Sequence, residues 1–381
     1  MEGNSLKLTD DILKMGISMG ASDIHLEPTE EDLKIRMRID GVLREIARVG
    51  ASRAALISRI KIMSGLDIAE KRVPQDGRTE FVFEKRKVDL RVASLPTIFG
   101  EKIVIRILDK EKNLQDINSL NFSEENLSLY EKLYRSPHGM VLLTGPTGSG
   151  KSTTLYATLE KLNSVEKNII TVEDPVEYQL PGINQVAVNV KTGLSFAKGL
   201  RSIVRQDPDI IMVGEIRDNE TAGIAVHAAL TGHLVLSTLH ANTAIGAVTR
   251  LLDMGIERYQ LAAAFNGSVS QRLVRKLCDK CKKKRSAKSY ELEYLGKNNN
   301  MDLYVPCGCS ECGNTGYRGR IAVHEIFVMD DDVVENFVRG ANEKELSALA
   351  VKKGMKTLRE DGQAKVLLGL TSVEELLRAG V

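Results

Sequence analysis

The sequence contains no tryptophan and only 4% aromatic residues, so stacked aromatic platforms for single-stranded nucleic acid have little to be built from. It also lacks a charge of one sign. Its 53 Lys and Arg against 51 Asp and Glu leave +2, which gives no electrostatic case for a nucleic-acid partner. Cysteine is missing ahead of Cys278, after which five fall together at 278, 281, 307, 309 and 312. A secreted disulfide protein would spread its bridges between elements, whereas clustered CxxC pairs point to a metal in a reducing compartment. Residues 1–20 lack an apolar stretch behind a basic start, so no secretory signal is expected. The longest segment free of Asp, Glu, Lys and Arg runs from Thr221 to Thr249, long enough to span a bilayer. It holds His227, His233, His240, Asn242 and several Thr, Ser and Gly, which are costly in lipid. A buried soluble core is therefore expected there, with any membrane contact peripheral and the chain cytoplasmic.

What is present is ordinary globular composition, 43% hydrophobic and 27% charged, over 381 residues, enough for two or three domains. The first part, to about residue 110, reads as α+β. Thr9 is expected to cap a helix opening at Leu8–Asp11. Leu33–Asp40 alternates apolar and charged residues, the mark of a strand with one wet face, and Asp40-Gly41 signals a hairpin into Val42–Ile46. A helix is expected over Ala55–Met63, with strands at Phe81–Phe83, Val88–Val92 and Lys102–Ile107. Asp109 to Asn121 is polar without a clear period and reads as a linker, and Ser123 then caps a helix. From His138 onward, short apolar strands at Met140–Thr144, Ile169–Val172, Ile210–Val213 and Leu234–Leu239 alternate with helices. That pattern predicts a parallel sheet covered on both faces. After Gln260 the chain is expected to be helical to Leu277, followed by the cysteine-rich patch and a mainly helical tail.

Gly145-Pro146-Thr147-Gly148-Ser149-Gly150-Lys151-Ser152 satisfies the G-x-x-x-x-G-K-[ST] pattern in full, between an apolar strand and a helix. Its glycines let backbone amides turn inward around phosphates, Lys151 adds a positive charge, and the Ser152 hydroxyl can coordinate Mg²⁺. ATP is therefore the expected ligand of residues 145–153, Thr153 included, and ATP hydrolysis the expected chemistry. Two further strands end in acids: Ile169–Val172 runs into Glu173-Asp174-Pro175-Val176-Glu177, and Ile210–Val213 into Gly214-Glu215. Gly214 stands where an acidic metal ligand is common, so Glu215 is left to serve the metal through water or the attacking water itself. Ordinary solvated strand-end acids are the competing reading, and which Glu is the base stays open. For His227, His233 and His240, a histidine bonded to backbone is the default. His240 can also sense the γ-phosphate, because it follows a strand at the phosphate-loop edge. Arg36, Arg38, Arg78, Arg91 and Arg106 lie in the first domain; most surface arginines do nothing specific, but one delivered to a triphosphate is worth roughly 10³–10⁵ in rate.

Cys278-x2-Cys281 and Cys309-x2-Cys312 suit a four-coordinate structural Zn²⁺, with Cys307 a spare that could replace Cys309. Lys280, Lys282, Lys283, Lys284 and Arg285 around the first pair read as a solvated charge run, the sharper option being an acidic lipid or partner.

Together these residues resemble the GspE/PilB-type secretion ATPases, which power type II secretion and type IV pilus assembly. The resemblance covers nearly the whole chain. It rests on Gly20–Pro28, Arg36–Gly41, the phosphate loop, the box Glu173–Glu177, Gly214–Asp218, Thr231–His233 to Thr238–His240, and Cys309 to Arg320. It implies an N2, PAS-like α+β domain at 1–108 and a linker at 109–121. A RecA-like P-loop core would follow at 122–275, a tetracysteine zinc insert at 276–320 and a helical C-terminal subdomain at 321–381. It also implies a ring of six with ATP bound between domains, and phosphate-contacting roles for Arg91 and Arg106, with Arg78 a weaker candidate. Glu177 and Glu215 would serve water activation and magnesium, and Glu173 and His233 would belong to the nucleotide site. Domain rotation would push an inner-membrane platform protein that extrudes a pilin or pseudopilin; no nucleic acid is expected. A DNA-uptake pseudopilus motor is the alternative, and a nucleic-acid translocase a more distant one. Larger members carry a further N-terminal domain that binds a membrane-anchored recruiter, whereas Met1 here stands almost at the N2 domain. Pilus-retraction ATPases usually lack the tetracysteine insert, which favours assembly or secretion.

Overall fold

A computed structural model describes residues 2–50, 53–109 and 115–381. It divides into two compact units, Met1–Asn113 and Leu114–Val381.

The first unit contains α1 (Glu2–Ser18), β1 (Ala21–Pro28), β2 (Leu33–Ile39), β3 (Val42–Val49), α2 (Arg53–Met63), β4 (Gln75–Phe83), β5 (Arg86–Thr97) and β6 (Gly100–Leu108). Its six strands pair antiparallel in the order β3-β2-β1-β6-β5-β4. The alternation in β2 is realised as expected: Leu33, Ile35, Met37 and Ile39 are buried, while Lys34, Arg36 and Arg38 lie on the other face. Asp40 and Gly41 take positive φ of 49° and 82°, as a tight hairpin turn demands. Leu13 and Ile17 of α1 and Leu56 and Ile60 of α2 close the core over Ile24, Leu26, Val92 and Ile105. Burying each such side chain is worth about 1.5–3 kcal/mol. Thr9 is no cap. The helix begins at Glu2 and Thr9 lies buried in its interior, because packing of one helix face on the sheet overrides the local preference.

In the second unit, α3 (Glu124–Tyr134) leads into β7 (Gly139–Thr144), α4 (Lys151–Leu162), β8 (Ile169–Glu173), β9 (Asn184–Ala187) and α5 (Phe196–Ile203). Then come β10 (Ile210–Val213), α6 (Asn219–Leu230), β11 (Leu234–Leu239), α7 (Gly246–Asp253), α8 (Arg258–Ala264) and β12 (Phe265–Leu277). A small layer follows of β13 (Lys283–Ser286), α9 (Ser289–Leu295) and β14 (Asp302–Val305). The chain finishes with β15 (Tyr317–Val328), α10 (Asp331–Val338), α11 (Glu343–Lys352), α12 (Leu358–Leu367) and α13 (Val373–Ala379). Seven strands form one sheet in the order β15-β12-β7-β11-β10-β8-β9, parallel except where β15 meets β12. Its strands bury both faces: Met140, Leu142 and Val213 face one core, Val141, Leu143 and Met212 the other. Ser123 caps α3 as expected, accepting from the Asn126 amide at 3.2 Å. No helix among the described residues is long and apolar enough to cross a membrane.

Three further expectations change. Residues 265–277 are strand, not helix. Phe265, Val269, Leu273 and Leu277 recur every fourth residue and mimic a helical face, but β12 lies between β7 and β15, where both faces are buried and polarity does not alternate. The tail is not helical from residue 321, because β15 runs to Val328 and only the four helices after it fit that description. Of the expected linker, residues 110–114 lie outside the described residues. The part after them is packed core: Asp116 opens a single 3₁₀ turn, Ile117–Leu120, whose Ile117 and Leu120 are buried with Tyr130 and Leu155.

Candidate functional site at the C-terminal edge of the parallel sheet

Register brings the strand ends together. Leu239 pairs with Thr144, and Val213 lies between Ser237 and Val172. The segments leaving β7, β10, β11 and β8, which carry the phosphate loop, Glu215, His240 and the acids after Glu173, therefore emerge at one edge, where open α/β sheets bind ligands. The phosphate loop turns there because two of its glycines have no room for a side chain. A Cβ on Gly145 (φ 142°) would meet the Gln271 carbonyl oxygen at 2.5 Å, and one on Gly150 (φ 90°) would meet Gln271 Nε2 at 2.6 Å. Pro146, Thr147, Gly148 and Ser152 are exposed, Thr153 is half-buried, and Ser149 is buried. Lys151 Nζ donates to the carbonyl oxygens of Gly145 and Pro146 at 2.8 and 3.1 Å, the cradle that a phosphate would fill. Burial holds its ammonium below the usual lysine range; the Glu215 carboxylate pulls it back up and the Arg272 guanidinium presses it further down.

Glu215 Oε2 lies 3.8 Å from His240 Nε2, and Oε1 accepts from Arg217. The Gly214 amide donates to Val172 at 2.8 Å and its carbonyl accepts from Thr238 Oγ1 at 2.9 Å. These bonds fix the turn that presents Glu215. Glu177 is half-buried, and its amide donates to Tyr156 Oη at 3.3 Å.

Two residues expected at the nucleotide site are bonded within the fold. Glu173 is buried, and its oxygens are occupied by Tyr156 Oη, Thr171 Oγ1 at 2.6 Å and Gln185 Nε2 at 3.1 Å. These bonds brace the start of the acid loop. His233 precedes β11 at the opposite end of the sheet: its carbonyl accepts from the Gly139 amide, and its Nδ1 lies 2.9 Å from the Ala228 carbonyl oxygen. Sequence reading missed Gln271, Arg272 and Tyr156. Gln271 Nε2 donates to the Ser149 carbonyl, and Oε1 accepts from Thr154 Oγ1, both at 2.8 Å. The available signal was β-branched and serine content with Gly267 inside 265–277, which fits a strand better than a helix.

In the first unit, Arg78 pairs with Arg91, and Arg91 with Arg106, across adjacent strands. The row continues to Asp23 and Arg38, and Arg106 Nε donates to Asp23 at 3.1 Å. Like charges directly opposite cost stability, and in this row Asp23 offsets part of that cost beside Arg106 and Arg38. The three arginines line a cleft of about 560 Å³ with Asp76, Gly77 and Val104.

The sulfurs of Cys278, Cys281, Cys309 and Cys312 all lie within 4.8 Å of one another. Their close pairs stand at 3.9, 3.8 and 3.7 Å. Tetrahedral ligands at about 2.3 Å from a zinc ion sit roughly 3.8 Å apart, so the donor set fits that metal. Burial pushes the Cys312 thiol up, but backbone amides of Cys309 and Gly316 and the neighbouring sulfurs bring it down to about 6, favouring the thiolate. Cys307 is exposed and outside the group, so Cys309, not Cys307, completes the set that could hold a metal.

Over residues 2–378 the sequence matches the family described as type II/IV secretion system protein. It is 50% identical over 374 residues to the type II secretion system protein E of Pectobacterium carotovorum subsp. carotovorum, covering 98% of this chain and 75% of that protein. It is 48% identical over 382 residues to the type IV pilus assembly ATPase PilB of Thermus thermophilus, covering 99% of this chain and 43% of that one. Among solved structures, the pilus retraction motor PilT with bound ADP is similar with a TM-score of 0.64 at 26% identity, over 97% of this chain and 96% of that one. The ATPase DotB of Legionella pneumophila shares the fold, with a TM-score of 0.73 at 22% identity over 98% and 96%.

Proposed function

The chain belongs to the family of type II/IV secretion system proteins and is one of its ATPases; on that footing we propose that ATP cleavage at the phosphate-loop edge drives protein secretion or pilus assembly. The observation that carries this reading is the convergence of Lys151, Glu215 and His240 on one sheet edge beside the Gly145–Gly150 loop. Backbone amides of the loop and Lys151 hold the β- and γ-phosphates. Bound Mg²⁺ would be held through Ser152 and supplies charge neutralisation across the phosphate oxygens. Glu215, steadied by Arg217 and His240, orients the attacking water and takes its proton; Glu177 is the second acid of the site. Water attacks the γ-phosphorus, the β,γ-bridging bond breaks, and ADP and phosphate leave. Arg91 and Arg106 are assigned to phosphate contact during turnover. The work done would require a ring of six and a platform protein at the inner membrane, with peripheral attachment. The four cysteines would hold one Zn²⁺ as a closed structural site.

Glu215→Gln tests the assignment. Hydrolysis should fall about 10²–10⁴-fold with nucleotide affinity retained; turnover at the parent rate would end the role given to Glu215. Metal analysis should find one Zn per chain, and its removal by chelation should lower the unfolding midpoint of the second unit.

A further inference from the structure

Arg272 is a buried charge with no carboxylate in direct contact; Glu325 acts on it only from beyond ion-pair distance. It lies on β12, between β7 and the edge strand β15, and is 8% exposed. Its donors reach two carbonyl oxygens, that of Gln271 at 3.1 Å and that of Asn242 at 2.9 Å. Among the described residues no carboxylate lies within 4.0 Å of it. The nearest acid acting on it is Glu325, whose two oxygens are already committed to the amides of Ala244 at 2.8 Å and Leu358 at 3.3 Å. A buried guanidinium whose direct bonds all go to neutral carbonyls is expensive, and such charges persist where something pairs with them.

The place of Arg272 says what that partner is. Its terminal nitrogen stands 3.2 Å from where a side-chain carbon would sit on Gly145, the first residue of the phosphate loop. Its neighbour Gln271 holds the same loop through Ser149 and the same helix through Thr154. Asn242, which it also holds, is two residues beyond His240. Resting on the nucleotide-binding reading of the loop, we propose that Arg272 is a second phosphate-binding cation of the site, beside Lys151, whose direct ionic partner is the phosphate chain of the bound nucleotide. The two cations repel one another when the site is empty, and burial disfavours the charge of each. An anion relieves both costs together. The free guanidinium protons then make charge-assisted bonds, which are worth more than the carbonyl contacts seen here.

This reading separates from a purely structural clamp by two measurements on purified full-length protein. Arg272→Gln should change the urea midpoint of the nucleotide-free protein little, because no carboxylate contacts the guanidinium directly and the Gln amide can still donate to a carbonyl. It should also weaken binding of Mg-ADP, or of Mg with a non-hydrolysable ATP analogue, by about tenfold or more. Arg272→Lys, which keeps the charge and loses the fork, should fall between, and stands in should the Gln variant fail to fold. Affinity for both nucleotides at the parental level in a folded variant overturns the proposal, as does a lower nucleotide-free stability with affinity intact. Lys151→Ala is the control: parent protein that does not bind Mg-ADP sinks the phosphate-loop reading itself, whereas binding lost in Lys151→Ala but kept in Arg272→Gln sinks only this inference.

Discussion

The two sheets of this protein treat charge in opposite ways. The first unit's sheet is covered on one face by α1 and α2 and lines up charged side chains on the other, so its polar chemistry is spread over a surface. The second unit's central strands are buried on both faces, and their chemistry is confined to the edge where the parallel strands end. A half-wet sheet can carry a row of arginines at modest cost. A doubly covered sheet carries one only at greater cost, and Arg272, buried beside the phosphate loop, is the residue proposed to meet an anion there.

That contrast can be broken or sharpened by substitution. The largest effect is expected at the edge: Lys151→Ala should reduce ATP hydrolysis at least about a hundredfold, while the unfolding transition of the first unit stays where it was. Next, neighbours on opposite faces of β5 should behave oppositely. Leu90→Ala, on the buried face, should cost about 2–5 kcal/mol in urea unfolding. Arg91→Ala, one residue on, should change stability by no more than about 0.5 kcal/mol and yet lower turnover about tenfold or more. If Arg91→Ala destabilises as much as Leu90→Ala, the outer row is structural.

A smaller effect is expected at Tyr156, whose hydroxyl donates to the buried Glu173 and accepts the Glu177 amide. Tyr156→Phe keeps the ring packed on Tyr178, 4.1 Å between centroids, but leaves Glu173 short of a donor. It should cost about 1–3 kcal/mol of stability and slow turnover without changing nucleotide affinity, as calorimetry beside steady-state rates would show. The smallest effect concerns pH. His324 is fully buried, stacked on Phe122 at 3.6 Å, and neither ring nitrogen has a hydrogen-bond partner. Burial holds its pKa well below 6.5. The unfolded chain therefore binds a proton that the folded protein does not, and stability falls as pH drops below that value, by up to about 1.4 kcal/mol per pH unit. His324→Phe should flatten that slope between about pH 6.5 and 5; an unchanged slope would place the titration elsewhere.

Some of this architecture was legible one residue at a time. The alternation of Leu33–Ile39, the Asp40-Gly41 turn, the glycines before Lys151 and the paired cysteines each state a local geometric need that few other residue types meet. These features predicted a half-wet sheet, a phosphate loop between strand and helix, and a four-sulfur cluster. The four apolar strands from Met140 to Leu239 were recognisable for the same reason: strands buried on both faces read as unbroken hydrophobic runs.

What only the tertiary structure decided was partnership. Whether Glu173 faces ligand or Tyr156, whether His233 lies at the near or far end of the sheet, and whether 265–277 is helix or strand all depend on what is packed alongside. Local sequence fixes which hydrogen bonds a segment can offer. Strand order and register fix which of them are taken, and the pairing of β7 with β12, between residues more than a hundred positions apart, brought Gln271 and Arg272 to a loop that begins at Gly145.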